Sequence, residues 1–167
     1  MIIWLTGLSG SGKSTVGKQL QKKLNRKKIS NVMIDGDVIR DIYGNDLKFH
    51  VADRKKQIKR IQELALFFYK KKKIVIVTAL FSNKEILKHN RKLFNDYIEV
   101  YLKAGISVLL KRDIKNLYDN AIKGLTKNVV GVDIKWIEPT NPDLIFDQSK
   151  NLKPQSIANI ILKKISA

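Results

Sequence analysis

A glycine-rich turn near the start of the chain constrains the fold more than any other feature. Residues 7–14 read Gly-Leu-Ser-Gly-Ser-Gly-Lys-Ser and follow an apolar run that ends at Leu5. The spacing fits the G-x-x-x-x-G-K-[ST] pattern, in which backbone N–H groups and the start of the next helix surround phosphate groups. The pattern requires a strand before the turn and a helix after it, and the sequence has both signals. It therefore predicts a strand, a phosphate-binding loop and a helix, in that order.

The residue types in this loop suit ATP and Mg²⁺, which we expect as cofactors. Glycine allows close approach of backbone N–H groups to phosphate oxygens, Lys13 can reach the β- and γ-phosphates, and the Ser14 hydroxyl suits Mg²⁺. A nucleophile elbow is excluded, because the fifth place of the run that starts at Gly7 holds Ser11, where the G-x-S-x-G pattern requires glycine. A turn that binds nothing is the other interpretation, and the flanking strand and helix disfavour it. The expected nucleotide-binding residues of the loop are Gly7, Ser9, Gly10, Ser11, Gly12, Lys13, Ser14 and Thr15.

Composition narrows the class of protein. A chain of 167 residues is long enough for one compact domain, which we expect to span residues 1–167. The chain has no cysteine, which excludes disulfides and thiol catalysis and suits a cytoplasmic protein. Its longest apolar run, residues 74–81, is too short to cross a bilayer. No basic segment precedes the N-terminal apolar run, so we expect no signal peptide.

The formal net charge of +18 favours anionic partners: nucleotides, nucleic acid or an acidic membrane surface. Charge alone does not choose among them. Most of the excess is lysine, whereas nucleic-acid readers more often combine arginine with exposed aromatic residues. We therefore expect a small nucleotide as substrate and no nucleic-acid or membrane partner. An RNA-binding protein with a relic ATP site is the alternative from another class, and it would show a steep salt dependence of RNA binding.

Strand-like and helix-like segments alternate along the chain, which favours a parallel sheet covered by helices. The expected strands are residues 2–6, 31–34, 73–79, 97–102 and 143–146. Asp53 is expected to cap a long helix after an irregular segment, residues 44–52. Residues 111–130 are expected to form a lid, with a charged and mobile stretch up to about residue 127. The predicted fold class is a three-layer α/β/α P-loop nucleoside-triphosphate kinase with a mainly parallel central sheet and a lid.

Two carboxylates follow the second predicted strand, as Asp35-Gly36-Asp37. The carboxyl ends of parallel strands line the binding crevice, so both side chains should lie near the phosphates. Thr78 and Ala79 end the central strand, where an acidic residue is usual. We therefore expect Asp37, and less strongly Asp35, to hold metal-bound water or to orient and deprotonate an acceptor hydroxyl. The alternative is an ordinary Asp-Gly-Asp turn without chemistry.

Cations flank these carboxylates in the sequence. Arg40 lies one helical turn beyond Asp37, and Arg54 begins the next helix; each could bind phosphate or merely form a surface ion pair. Lys111 and Arg112, with Lys115 just beyond, fit a lid that presents cations to developing charge. A basic helix end that interacts with the helix dipole is the alternative for the lid cations.

Together these residues resemble the adenylylsulfate kinase family over residues 2–147. The resemblance is carried by the phosphate loop with Thr15, by Asp35-Gly36-Asp37 with Arg40, by Phe49, by Asp53-Arg54, by Arg112-Asp113 with Lys115, Leu117-Tyr118, Ala121 and Gly124, and by Gly131-Val132-Asp133 with Pro139. The family transfers the γ-phosphoryl group of MgATP to the ribose 3′-hydroxyl of a nucleoside 5′-phosphosulfate. The resemblance implies a homodimer in which Asp37 addresses the acceptor hydroxyl and the metal, Arg40 and Arg54 the acceptor phosphates, Arg112 the ATP, and Lys115 the lid-side contacts.

The chain departs from the family pattern on the acceptor side. Gln57 replaces the usual asparagine, and Val129 and Val130 replace an aromatic residue and a threonine, so that Phe49 is left with no aromatic opposite it. Ser82-Asn83-Lys84-Glu85, Asn116 and Trp136-Ile137 are further departures. Losing one stacking face should weaken purine binding by about 1–3 kcal/mol. The expected acceptor-binding residues are Asp35, Asp37, Arg40, Phe49, Arg54, Gln57, Leu80, Lys115, Val129 and Val130.

The chain thus keeps the family pattern on the ATP side and departs from it on the acceptor side. This difference favours the same reaction on another acceptor nucleotide. A small branch of the family is similar in phosphorylating cytidine diphosphoramidate at its ribose 3′-hydroxyl, in the pathway that decorates bacterial capsules with phosphoramidate. A pyrimidine is smaller than adenine and suits a site trimmed at Val129. The alternative is phosphorylation of adenylylsulfate, with the missing stacking face supplied by Trp136 or by a partner subunit.

Overall fold

A computed structural model of the protein describes residues 1–81, 83–112 and 116–166. Its strands are β1 (Ile2–Thr6), β2 (Asn31–Asp35), β3 (Ile74–Ala79), β4 (Tyr97–Lys103) and β5 (Leu144–Asp147). Its helices are α1 (Lys13–Arg26), α2 (Gly36–Ile42), α3 (Val51–Lys70), α4 (Lys84–Leu93), α5 (Ile106–Arg112), α6 (Leu117–Ile122) and α7 (Pro154–Ile165), with a short 3₁₀ helix at Gln148–Lys150. Within this described part of the chain, no helix has both the length and the apolar character needed to cross a membrane.

The five strands form one sheet in the order β2-β3-β1-β4-β5, and every pair is parallel. The prediction of a mainly parallel sheet is confirmed. The register sets Asp35, at the carboxyl end of β2, directly beside Thr78 of β3. An acidic residue from the neighbouring strand thus reaches the edge of the sheet where β3 itself offers only Thr78 and Ala79.

Helices cover both faces of the sheet, as the three-layer prediction requires. On one face α1 and α7 pack together over alternate residues of the strands, including Ile3 and Leu5 of β1. On the other face α3 and α4 cover Ile2 and Trp4. Both sets of strand residues are fully buried, which is the reason the strands are continuous apolar runs rather than alternating ones.

The long helix α3 begins earlier than the sequence indicates. His50 is the N-cap, and its Nδ1 atom accepts a hydrogen bond from the backbone N–H of Asp53. The Asp53 carboxylate instead accepts a hydrogen bond from the backbone N–H of Lys48, at 2.8 Å. The prediction that Asp53 caps the helix is therefore wrong: Asp53 lies inside the first turn and holds the preceding loop in place.

The lid contains a helix that the sequence pattern hides. Residues 117–122, expected to belong to a charged and mobile stretch, form α6. Tyr118 and Ala121 are buried in a cluster with Leu8 of the phosphate loop, and the Tyr118 hydroxyl donates to the Ser9 carbonyl oxygen at 3.0 Å. This helix is too short to be stable alone, so its contact with the phosphate loop supplies the stability.

Candidate active site

The phosphate loop has the geometry that its glycines predict. Gly7 has φ +148°, and a Cβ atom there would lie 2.5 Å from the Leu102 carbonyl oxygen. Gly12, at φ +96°, is the N-cap of α1, and no side chain caps the helix. The first N–H groups of α1 therefore point into the loop without a side-chain acceptor, as a phosphate site requires.

Lys13 lies folded back over this loop. Its Nζ atom donates to the Leu8 carbonyl oxygen at 2.8 Å. Burial lowers the pKa of Lys13 to about 8, although the carboxylates of Asp37 and Asp35 oppose the shift. A phosphate group beside Lys13 would raise this pKa again, because an opposite charge favours the protonated form.

Asp35 joins the sheet to the phosphate loop. One carboxylate oxygen accepts hydrogen bonds from the Ser14 hydroxyl at 2.5 Å and the Thr78 hydroxyl at 2.6 Å. The other accepts the backbone N–H of Asp37 at 3.0 Å. Burial works against ionisation, but the hydrogen bonds prevail and hold the pKa of Asp35 below its usual value. Asp35 is thus ionised, and it presents with Ser14 a pair of hard oxygen donors of the kind that Mg²⁺ prefers.

Two cavities meet at the carboxyl edge of the sheet. The larger, of about 870 Å³, extends over the phosphate loop and contains Arg112. The smaller, of about 430 Å³, lies between α2, α3 and the 126–130 segment. Asp37 lines both, as do Ser9, Gly36 and Leu80. The Asp37 side chain is exposed and makes no hydrogen bond with the described residues, so its carboxylate is available at the point where the two cavities join.

The smaller cavity is lined by two guanidinium groups around one aromatic ring. The guanidinium carbons of Arg40 and Arg54 lie 4.8 Å and 5.5 Å from the centre of the Phe49 ring. Burial lowers the pKa of Arg54 to about 10, and the neighbouring charge of Arg40 contributes. Both groups remain charged at neutral pH, and their mutual repulsion would be relieved by an anion between them.

Backbone carbonyl groups hold these two arginines in place. Arg40 donates to the carbonyl oxygens of Leu47 and Lys48. Arg54 donates to the carbonyl oxygens of Phe49 and Asn128, at 2.6 Å and 2.8 Å. Neither forms an ion pair with a described residue, so the surface-pair interpretation is not supported for either.

A polar clamp that the sequence did not suggest supports the same cavity. Gln57 is buried; its amide nitrogen donates to the Gly36 carbonyl oxygen at 3.1 Å, and its amide oxygen accepts from Arg60 at 3.3 Å. Arg60 also forms a two-pronged ion pair with Asp46, at 2.8 Å and 3.0 Å, and stacks on Tyr43. The clamp connects Asp46, in the turn after α2, to the Gly36 carbonyl group just before Asp37. The connection runs through the Arg60 and Gln57 side chains of α3. The signal in the sequence is weak, because these residues are far apart along the chain.

The 128–134 segment borders the smaller cavity, which Phe49 also lines. Val129 and Val130 line the smaller cavity, but only 4% and 3% of their surfaces are exposed. Asp133 accepts hydrogen bonds from the backbone N–H groups of Asn128 and Val129 and fixes the segment. Trp136 lies outside both cavities, where its indole N–H donates to the Tyr101 hydroxyl. The structure therefore does not support Trp136 as a replacement stacking surface within the chain.

Most of the predicted site residues line one of the two cavities. Around the larger cavity lie Ser9, Gly10, Gly12, Lys13, Ser14, Thr15, Asp35, Asp37, Leu80 and Arg112; around the smaller lie Asp37, Arg40, Phe49, Arg54, Gln57, Leu80, Val129 and Val130. Gly7 and Ser11 are not in either lining; Ser11 is fully buried and its backbone N–H donates to Leu8. Lys115 lies outside the described residues. Arg112 donates to the Gln148 carbonyl oxygen and to the Asn151 side-chain oxygen, and both residues line the same cavity.

Known proteins are similar to this chain in sequence over most of its length. A family model described as adenylylsulphate kinase matches residues 1–147. An adenylyl-sulfate kinase of Clostridium acetobutylicum is 37% identical over 161 residues, which cover 96% of this chain and 80% of that protein. A cytidine diphosphoramidate kinase of Campylobacter jejuni is 36% identical over 168 residues, which cover 99% of this chain and 96% of that protein.

Solved structures give the same answer. The adenylylsulfate (APS) kinase of Mycobacterium tuberculosis, solved in complex with AMPPNP and APS, superposes with a TM-score of 0.92 at 30% identity and covers 99% of this chain and 97% of that chain. The match confirms the P-loop kinase fold and agrees with the family expected from the sequence. The chain therefore belongs to the adenylylsulphate kinase family and is a phosphotransferase with a hydroxyl group as acceptor.

Proposed function

We propose that the protein transfers the γ-phosphoryl group of ATP to the ribose 3′-hydroxyl of cytidine diphosphoramidate. One observation carries the choice of acceptor: the buried Val129 lines the smaller cavity with Phe49, at the position where the family pattern has a second aromatic residue. The other aromatic residue of the lining, Phe81, is half-buried against the hydrophobic clusters of the sheet and the lid. The base is therefore expected to stack on Phe49 alone. The proposed role is a step in the phosphoramidate modification of capsular polysaccharide.

The larger cavity supplies the donor side of this proposal. Lys13 and the free N–H groups at the start of α1 would hold the phosphates of ATP. Ser14 and Asp35, with Asp37 nearby, would hold Mg²⁺, which neutralises charge on the β- and γ-phosphates during phosphoryl transfer. Arg112 would lie beside the bound nucleotide, because it lines the same cavity.

The smaller cavity supplies the acceptor side. Arg40 and Arg54 would bind the acceptor's two charged groups, while Phe49 stacks on its base. Asp37, at the junction of the cavities, would orient the 3′-hydroxyl and take its proton. Catalysis then depends on placing that hydroxyl in line with the γ-phosphorus, which is the main contribution a protein makes to this reaction.

Adenylylsulfate is the second candidate acceptor, because the same cations would bind its phosphosulfate and a curated relative with that activity is equally similar. Measuring kcat/KM for cytidine diphosphoramidate and for adenylylsulfate, each with MgATP, distinguishes the two candidate acceptors. We expect cytidine diphosphoramidate to be preferred by at least about tenfold, the ratio that one lost stacking face implies for the purine. A preference of that size for adenylylsulfate would reverse the assignment.

The clamp around Arg60 gives a separate prediction about acceptor binding. Arg60→Met removes its bonds to both Asp46 and Gln57, so the peptide before Asp37 loses a support. We expect the KM for the acceptor to rise about fivefold, the size typical of a partly exposed ion pair, with the Kd for ATP unchanged. Steady-state kinetics and ATP titration would measure the two effects.

Asp46→Asn is the matched variant for this clamp. Because both changes break the same contact, the double variant should be no worse than Arg60→Met alone. Additive losses, or an unchanged KM for the acceptor, would show that the clamp does not support the cavity.

We further propose that the protein is a homodimer, as the family resemblance implies, and that it is cytoplasmic, in keeping with its lack of cysteine. A structurally similar APS kinase from Thiobacillus denitrificans, at 22% identity, is hexameric. Light scattering after size-exclusion chromatography would give the state of this chain.

A further inference from the structure

The outer surface of α1 and α7 is basic and contains no acidic residue. We define this basic face by Lys18, Lys22, Lys23, Arg26, Lys27, Lys28, Lys163 and Lys164. Neither helix contains an aspartate or glutamate. Seven of the eight side chains are exposed, and Lys23 is half-buried. Every one of the 15 acidic residues of the chain lies elsewhere in the sequence.

The cations of the basic face form no ion pair with the residues that the structure describes. Each ion pair of the described residues lies on another part of the surface, such as Arg60 with Asp46, Lys103 with Glu138 and Lys123 with Asp119. On α1, Lys18, Lys22 and Arg26 follow each other at four-residue spacing, where like charges repel and destabilise a helix. The folded protein thus carries an unrelieved repulsion along this face.

Interaction with the helix dipole accounts for only some of the cations of the basic face. Cations in the last turn of a helix interact favourably with its dipole, which explains Arg26, Lys163 and Lys164. Lys18 and Lys22 lie in earlier turns of α1, where the dipole gives no such benefit. An external anionic surface would relieve the repulsion of the whole stripe.

The orientation of the two helices leaves both cavities free. Lys13 and Pro154, at the N-terminal ends of α1 and α7, line the larger cavity. The C-terminal ends, with Lys27, Lys28, Lys163 and Lys164, consequently lie at the opposite end of the helical layer. A surface that contacts the basic face would not cover the entrance to the active site.

We propose that the basic face docks the protein on an anionic lipid bilayer. Seven of its eight cations are lysine, and neither helix contains an aromatic side chain that could stack on a base, which disfavours nucleic acid. Two adjacent helices form a broad surface rather than a groove, and groups of four to eight cations on a helical surface are typical of binding to anionic headgroups. Ile160 is 50% exposed one turn before Lys163 and Lys164 and can enter the boundary between headgroups and acyl chains. This proposal replaces the expectation from the sequence that no membrane is a partner.

Co-sedimentation with vesicles tests the proposal on the whole protein. We expect binding to vesicles of phosphatidylglycerol and phosphatidylcholine, no binding to phosphatidylcholine alone, and loss of binding as NaCl rises from about 50 to about 300 mM. The variant Lys18→Gln/Lys22→Gln/Lys163→Gln/Lys164→Gln should bind the anionic vesicles more than about tenfold less tightly. Its kinase turnover without vesicles should equal that of the parent protein, because none of the four residues lines a cavity.

A control variant with the same net charge distinguishes an effect of the basic face from an effect of the overall charge of the protein. Lys59→Gln/Lys70→Gln/Lys88→Gln/Lys92→Gln removes four exposed lysines from α3 and α4 on the opposite side of the sheet and should keep most of the affinity. If both variants lose the same affinity for anionic vesicles, binding depends on net charge alone and the proposal is overturned. Absence of binding of the parent protein to anionic vesicles at low salt would overturn it as well. Tighter binding to a single-stranded RNA at the same salt, lost in the basic-face variant, would assign the face to nucleic acid instead. Kinase activity in solution is measured separately, so failure here leaves the proposed reaction untouched.

Discussion

Replacing Asp37 by asparagine is expected to lower kcat by about 10³, within the range for loss of a general acid–base group. The substitution keeps the size and most of the hydrogen-bonding capacity of the side chain but removes its charge and basicity. Asp37 is the carboxylate that lines both cavities, and it accepts no hydrogen bond from a described residue. The Kd for ATP should change little, because Lys13 and the N–H groups of α1 remain. Single-turnover kinetics with ATP and the acceptor would measure the chemical step directly.

Asp41→Asn is the matched control for Asp37. Asp41 lies one turn further along α2 and lines the smaller cavity only, so neutralising it tests charge without touching the junction. We expect kcat of this variant to stay within a few-fold of the parent value. Retained kcat in Asp37→Asn would remove Asp37 from the proposed chemistry.

The magnesium dependence of the same variant separates two roles for Asp37. If the residue mainly anchors the metal, excess Mg²⁺ should restore much of the lost rate, because the remaining donors of Ser14 and Asp35 can still bind it. If the residue takes the proton of the hydroxyl, the rate should stay low at every Mg²⁺ concentration. Assays over a range of Mg²⁺ concentrations therefore distinguish a metal anchor from a base.

The donor side of the site could be predicted from the sequence because its information is local. The phosphate loop needs only eight consecutive residues, a strand before them and a helix after them, and all three are present. The order of strands and helices follows from apolar periodicity for the same reason. The helix boundary at His50 does not follow from the sequence, because a ring nitrogen can cap a helix where a nearby aspartate is the more common choice.

The rest of the site depends on contacts between distant residues. Asp35 contacts Ser14 and Thr78 only because the parallel register places β2 beside β3 and the loop. The Arg60 clamp and helix α6 likewise form through tertiary packing, and neither leaves a periodic signal. The acceptor cavity is therefore the part that sequence patterns describe least well, and it is also the part that decides the substrate.

The response of Lys13 to pH gives the second large prediction. In the free protein, burial lowers the pKa of Lys13 to about 8. Bound phosphate favours the charged form, so the pKa in the complex is higher than in the free protein. The contribution of Lys13 to ATP binding is then complete below pH 8 and is lost as pH rises above it. The Kd for ATP should rise by up to about tenfold per pH unit between about pH 8 and 9.5, the limit for one linked proton.

Two variants of Lys13 make this prediction specific. Arginine stays charged throughout this range, so Lys13→Arg should give a Kd for ATP that does not follow the same rise. Lys13→Met removes the charge at every pH and should lower kcat/KM by about 10²–10³, the cost of one lost cation or donor at a transferring group. The last ionisation of a phosphate group lies near pH ~6, well below the window, so the ligand does not contribute to the slope. Calorimetric titration of ATP at several pH values would measure how the Kd depends on pH. If the parent protein, Lys13→Arg and Lys13→Met all show the same slope, the titrating group is not Lys13.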